Sequence, residues 1–144
     1  MGTTEGGKPE DLRTRTKRFA LSIVRMYCSL PKSMEAQVLG KQALRSGTSV
    51  GAHYAEAMRA RSTAEFLSKI EGGLQELEET RYWLELLGES GIAPVADLAG
   101  LLDEARQLVA IFIACANNAK AKSRQASRTA DDGRSEPESR DERE

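Results

Sequence analysis

His53, the single histidine of the chain, precedes Glu56 by three residues, the spacing that puts an imidazole and a carboxylate on one face of a helix. Such a pair can move a proton or supply two ligands to a metal held inside a helical bundle. A di-iron bundle needs two Glu-x-x-His motifs, whereas His53-Tyr54-Ala55-Glu56 occurs once and in the reverse order. A hydrogen bond at a surface or interface is therefore the expectation for it. The two cysteines, Cys28 and Cys115, lie far apart, and with one histidine they build neither a zinc knuckle nor a CxxC redox pair. No catalytic residue, metal ligand or cofactor is called for by this inventory, and an enzyme is not expected. Phosphate binding has better material in Arg13, Arg15, Lys17 and Arg18, joined further on by Arg25, Lys41 and Arg45. Between Arg13 and Arg45 eight basic residues face Glu35 alone, a net +7. The cluster has no interleaved aromatics, so its nucleic-acid signal is weak.

These residues need elements to position them, and the apolar spacing supplies four helices. The first spans about Asp11 to Leu30, with Phe19, Ile23, Met26, Tyr27 and Leu30 on one stripe and Pro31 as its stop. Ser33 suits the N-cap of a second, which carries Ala36, Leu39, Ala43, Val50, Tyr54, Ala57 and Met58. Ser62-Thr63-Ala64-Glu65 reads as a capping box, in which the serine caps the helix and the glutamate reaches back to the cap. Behind it Phe66, Ile70, Leu74, Leu77, Leu84 and Leu87 run close to a heptad until Gly88 or Gly91. Pro94 suits the first turn of a fourth helix with Leu98, Leu101, Leu102, Ala105, Leu108, Val109, Phe112 and Ala116 on its face, fading near Lys122. Tyr82 and Trp83 are adjacent and cannot face one way, so one ring packs inward and the other toward an edge or partner.

Four amphipathic helices with short connections define an all-α, antiparallel up-down-up-down four-helix bundle over residues 13–122. A helical hairpin that finishes its core against a second chain is the alternative. Residues 1–12 and 123–144 are expected to be disordered, the latter a tail whose seven basic and seven acidic residues from Lys120 onward balance. The chain of 144 residues is 40% hydrophobic, 30% charged and 5% aromatic, a composition of exposed helices more than of sandwiches or barrels. Its net charge of -1 gives nucleic acid no overall support. Residues 1–60 nevertheless carry a net +5 and residues 61–119 a net -6, so one half complements the other within a bundle or between copies. No stretch approaches the roughly 18 apolar residues of a membrane span, and the N-terminal charge has no apolar run behind it. A cytoplasmic protein with free thiols is expected.

The second helix is unusual. Arg45-Ser46-Gly47-Thr48-Ser49-Val50-Gly51-Ala52 is a poor helix former by propensity, which requires support from outside the helix. Ala43, Gly47, Gly51 and Ala55 form a stripe of small residues open to close approach, either by a helix of the same bundle or by another subunit. Gln42, Arg45 or Ser46, Ser49, His53 and Glu56 form a polar stripe, either a solvated face or a polar interface; Glu71, Glu78 and Glu85 on the third helix are the acidic partners expected for Arg45 in the second case, from a neighbouring helix or a neighbouring subunit. Trp83 joins Ala43, Arg45, Gly47, Ser49, Gly51, His53, Ala55 and Glu56 as a candidate for helix packing or an oligomer interface.

The run Arg45 to Ala57, followed by Ser62, Glu65-Phe66 and Tyr82-Trp83-Leu84-Glu85-Leu86-Leu87, with Phe19-Ala20 and Leu30-Pro31 before it, resembles the bacterial four-helix bundle family named after the protein encoded in 23S rRNA intervening sequences. The resemblance extends from about Arg13 to Ala116. It implies a left-handed up-down-up-down bundle assembled as a ring-like homopentamer, with no established catalytic activity. A non-enzymatic module whose ring presents a surface to a protein partner is the expected role, and nucleic-acid binding along the basic edge of the first two helices is the alternative. The accessory protein of diversity-generating retroelements is similar in fold and binds nucleic acid and a polymerase through a strongly basic surface. Here His53 stands where the family usually has asparagine, and the basic excess of the accessory proteins is missing.

Overall fold

A computed structural model describes residues 11–134 as four helices: α1 (Leu12–Ser29), α2 (Met34–Met58), α3 (Thr63–Glu89) and α4 (Val95–Arg134). No strand occurs among the described residues. The caps are local. Asp11 accepts the Arg13 N–H, Ser33 accepts that of Ala36 at 3.3 Å, and Ser62 accepts that of Glu65 at 3.1 Å, each satisfying a donor the helix leaves unpaired. Glu65 reaches back one residue further than expected, taking the Arg61 N–H at 3.3 Å. Gly91, at φ 75, is the turn that ends α3, with the N–H groups of Ile92 and Ala93 folded back onto the Leu87 carbonyl. Pro94 then sets the entry to α4, its carbonyl accepting from Asp97.

Each helix buries one stripe. Phe19, Ile23 and Met26 of α1 meet Val50 and Tyr54 of α2, Ile70, Leu77, Leu84 and Leu87 of α3, and Leu98, Leu108 and Phe112 of α4. The Tyr54 and Phe112 rings stand 6.1 Å apart in a tilted pair. Each large apolar side chain so buried contributes about 1.5–3 kcal/mol relative to exposure, and the cluster closes among the four helices of one chain. Packing runs α1 to α2, α2 to α3 and α3 to α4, with a looser closure of α4 on α1; the α1 and α3 backbones do not approach closely and occupy diagonal corners, meeting only through core side chains.

One boundary differs from expectation. The fourth helix does not fade near Lys122 but continues to Arg134 as an exposed extension. Ala, Lys, Arg and Gln in this stretch are good helix formers, and no proline interrupts them. Backbone propensity thus carries the helix past the last apolar contact, through part of the segment expected to be disordered. Residues 1–10 and 135–144, for which disorder was also expected, lie outside the described residues. No helix among the described residues is long and apolar enough to cross a membrane.

Candidate functional site

The glycines of α2 face α1. A Cβ built on Gly47 would stand 2.8 Å from the Ile23 side chain, one on Gly51 3.2 Å from Thr16 Oγ1, and one on Gly40 2.6 Å from Leu30. Ala43 is fully buried in the core and Ala55 half-buried. The small-residue stripe is therefore where α1 and α2 of one chain approach closely, the first of the two roles open to it.

The polar stripe of α2 faces α3. Arg45 pairs with Glu79 through a short contact and with Glu76 at 3.4 Å. At the adjacent, inward-facing residues Thr80 Oγ1 stands 2.8 Å from Ser46 Oγ, which donates to the Gln42 carbonyl at 2.9 Å; both side chains are buried. Ser49 satisfies its hydroxyl on the Arg45 carbonyl of its own helix at 2.7 Å. Further along, the half-buried His53 ring rests on Gly72, where a Cβ would lie 2.7 Å from Cε1, while Gly73 makes room for the Phe112 ring of α4. Glu56 pairs with Lys69 at 2.8 Å, and His53 Nδ1 has no hydrogen-bond partner, so the His53–Glu56 dyad is not formed as a hydrogen bond.

Electrostatics follow these pairs. The Arg45 guanidinium, with help from the Trp83 indole N–H at 3.2 Å, holds the Glu79 carboxyl below its usual range. Lys69 does the same for Glu56. Burial pushes the Cys115 thiol up and so works against the thiolate a nucleophile requires. Cys28 is exposed on α1, away from Cys115 on α4, and both thiols are free. Among the described residues no group of three or more His, Cys, Asp or Glu could hold a metal ion.

The expected acidic partners are corrected. Arg45 takes Glu76 and Glu79 rather than Glu71, Glu78 or Glu85, because at 3.6 residues per turn the line through Glu71, Glu78 and Glu85 lies on the exposed face of α3 and not on the side that α2 occupies. Glu71, Glu78 and Glu85 are exposed. Lys69, Gly72, Glu76, Glu79 and Thr80 are the α3 half of the seam, and sequence reasoning missed them as a set. The Gly72-Gly73 pair is the signal that pointed there, since glycine inside a helix costs about 1 kcal/mol against alanine and calls for a packing reason.

The basic candidates do not form one surface. Arg15 is held across to α4, 2.6 Å from Glu104 and 2.7 Å from Gln107. Arg45 is engaged as described. Arg13 and Lys17 are exposed on the outer face of α1, Arg18 and Arg25 line an open groove of about 610 Å³ between α1 and α4, and Lys41 is exposed near the far end of α2. Trp83 is half-buried against the core, and Tyr82 meets its ring edge-on at 5.0 Å while remaining 56% exposed.

A finished four-helix core with its polar side chains paired between neighbouring helices defines a small helical bundle protein. The chain matches the family model described as 23S rRNA-intervening sequence protein over residues 11–114, and it belongs to that family. Among solved structures it is similar to a protein of unknown function from the S23 ribosomal protein family of Bacteroides thetaiotaomicron, a crystal structure at 1.70 Å resolution. The two share 33% identity at a TM-score of 0.70, over 74% of this chain and 98% of that one. No curated protein matches.

Proposed function

We propose that this protein is a non-enzymatic interaction module of the bacterial cytoplasm that works as a homo-oligomer, presenting surface rather than a cleft to its partners. The observation that carries this reading is apolar surface left outside a finished core. Leu21 is 46% exposed, Val38 57% and Tyr82 56%, although the interior is already filled. Leu21 is joined by the exposed Val24 one turn on, so α1 carries an apolar strip of the kind a protein contact buries. The polar residues most able to do chemistry, Arg45, Ser46, Glu56 and Thr80, are occupied in holding α2 to α3. The family resemblance supplies the ring-like homopentamer as the form of the assembly. Nucleic-acid binding by the basic residues of α1 and α2 stands second, since two of its seven candidates are spent on neighbouring helices and the rest are divided between faces.

The test is size-exclusion chromatography of lysate-purified protein with and without nuclease, following absorbance at 260 and 280 nm. A discrete multimer with the absorbance of protein alone, unchanged by nuclease, is expected. A nucleic-acid-laden species that collapses on nuclease treatment would put the basic residues first, and a monomer would overturn the homo-oligomer.

A further inference from the structure

We propose that copies of this chain associate head to tail, the outer face of α1 in one copy lying parallel to the outer face of α3 in the next and in register with it. The inference rests on the homo-oligomeric reading above and names the two surfaces that carry it.

Because α1 and α3 occupy diagonal corners, their outer faces are two separate surfaces of one copy. That is the disposition of a heterologous contact, in which one patch of each copy meets a different patch of its neighbour. The outer face of α1 carries Arg13, Lys17, Leu21, Val24 and Cys28, all exposed. That of α3 carries Glu71, Gln75, Glu78 and Tyr82, all exposed, and the half-buried Leu86. Both sets advance by steps of three and four, so each makes one continuous stripe. The first is basic at its N-terminal end and apolar at the other; the second is acidic at its N-terminal end and aromatic, then apolar, beyond.

The heights of the two stripes follow through α2, which touches both helices. Gly51 lies on Thr16, Gly47 on Ile23 and Gly40 on Tyr27, while His53 lies on Gly72 and Ser46 on Thr80. Carried across, these contacts bring Arg13 level with Glu71, Lys17 level with Gln75 and within a turn of Glu78, Val24 level with Tyr82, and Cys28 level with Leu86. In an up-down-up-down bundle α1 and α3 run the same way. A copy rotated about an axis along the bundle therefore sets opposite charge on opposite charge and apolar on apolar without sliding. Other pairings lose this match: an α3 to α3 contact sets acid on acid, and an antiparallel α1 to α3 contact sets Arg13 against Leu86 and Cys28 against Glu71. Glu78 also holds Arg81 within its own helix at 3.1 Å, so Arg13 with Glu71 is the pair that fixes the charge register. Tyr82 is the anchor, since a large aromatic packed among aliphatic side chains is the usual centre of a tight contact.

Three full-length variants and a cross-link test the pairing. Val24→Glu and Tyr82→Glu change exposed positions outside the core; each should reduce the assembly to monomer while the helical circular dichroism spectrum is kept. Arg13→Glu should raise the dissociation constant at least tenfold, and Glu71→Arg in the same chain should restore it. Leu86→Cys, oxidised mildly, should bond to the native Cys28 of the next copy and give dimers and higher multiples on a non-reducing gel, absent when Cys28→Ser is added. A wild-type monomer would overturn the oligomer reading and this inference together. An oligomer that survives both glutamate variants and gives no Cys28-dependent cross-link would overturn the pairing alone.

Discussion

Thr80 Oγ1 lies 2.8 Å from Ser46 Oγ in the middle of the α2–α3 seam, a buried hydroxyl of α3 donating to a buried hydroxyl of α2. Thr80 also reaches the Glu76 carbonyl at 2.7 Å, and Ser46 the Gln42 carbonyl, so each retains one partner if the other hydroxyl is lost. Ser46→Ala should therefore cost only about 0.5–1.5 kcal/mol, the net worth of one hydrogen bond. Ser46→Leu, which drives a branched side chain into the same space, should cost at least as much again. Urea unfolding at a fixed protein concentration checks both, because the apparent stability of an oligomer depends on concentration.

The glycines separate by what surrounds them. At Gly47 an added Cβ meets the β-branched Ile23 side chain, itself buried and unable to swing aside, so Gly47→Ala should destabilise by about 1–3 kcal/mol. Around Gly100 nothing lies within 4 Å, and Gly100→Ala should stabilise α4 by about 0.5–1 kcal/mol. Opposite shifts of the urea midpoint are the expected outcome. Equal shifts would contradict the close approach of α1 to α2.

Acid should loosen the same seam. Arg45 holds the Glu79 carboxyl, and Lys69 that of Glu56, below the ordinary value of 4.5, so these contributions are complete above that pH and are lost as pH falls through the lowered values. The urea midpoint should decline below about pH 4.5, and less steeply in Glu79→Gln. An identical decline in the variant would remove Arg45–Glu79 from the account.

Much of this was legible in the chain because local rules and tertiary packing agree. The Ser62 cap, the Gly91 turn and the stripe from Phe19 to Met26 each follow from neighbours a few residues away. Which glutamates meet Arg45 was not legible: the choice depends on the rotation of α3 against α2, which the heptad-like line of Glu71, Glu78 and Glu85 misdirects. His53 on Gly72 was hidden for the same reason, since a ring seated on a glycine of another helix leaves only the unexplained glycine as a trace. Apolar spacing does not mark the length of α4, because propensity alone extends an exposed helix to Arg134.

The thiols report on assembly. Burial raises the Cys115 thiol, and Cys28 is exposed in the single chain. In Tyr82→Glu, Cys28 should react quickly with a disulfide reagent and Cys115 slowly; in the wild-type assembly both should be slow. Fast reaction of Cys28 in the wild type would place α1 outside any interface.

Self-association is the centre of the account, and native mass spectrometry of the wild-type full-length chain tests it most directly. The predicted result is one dominant species at an integer multiple of 15.7 kDa that persists on dilution into the low micromolar range. A spectrum containing the 15.7 kDa monomer alone, at tens of micromolar protein, would contradict it.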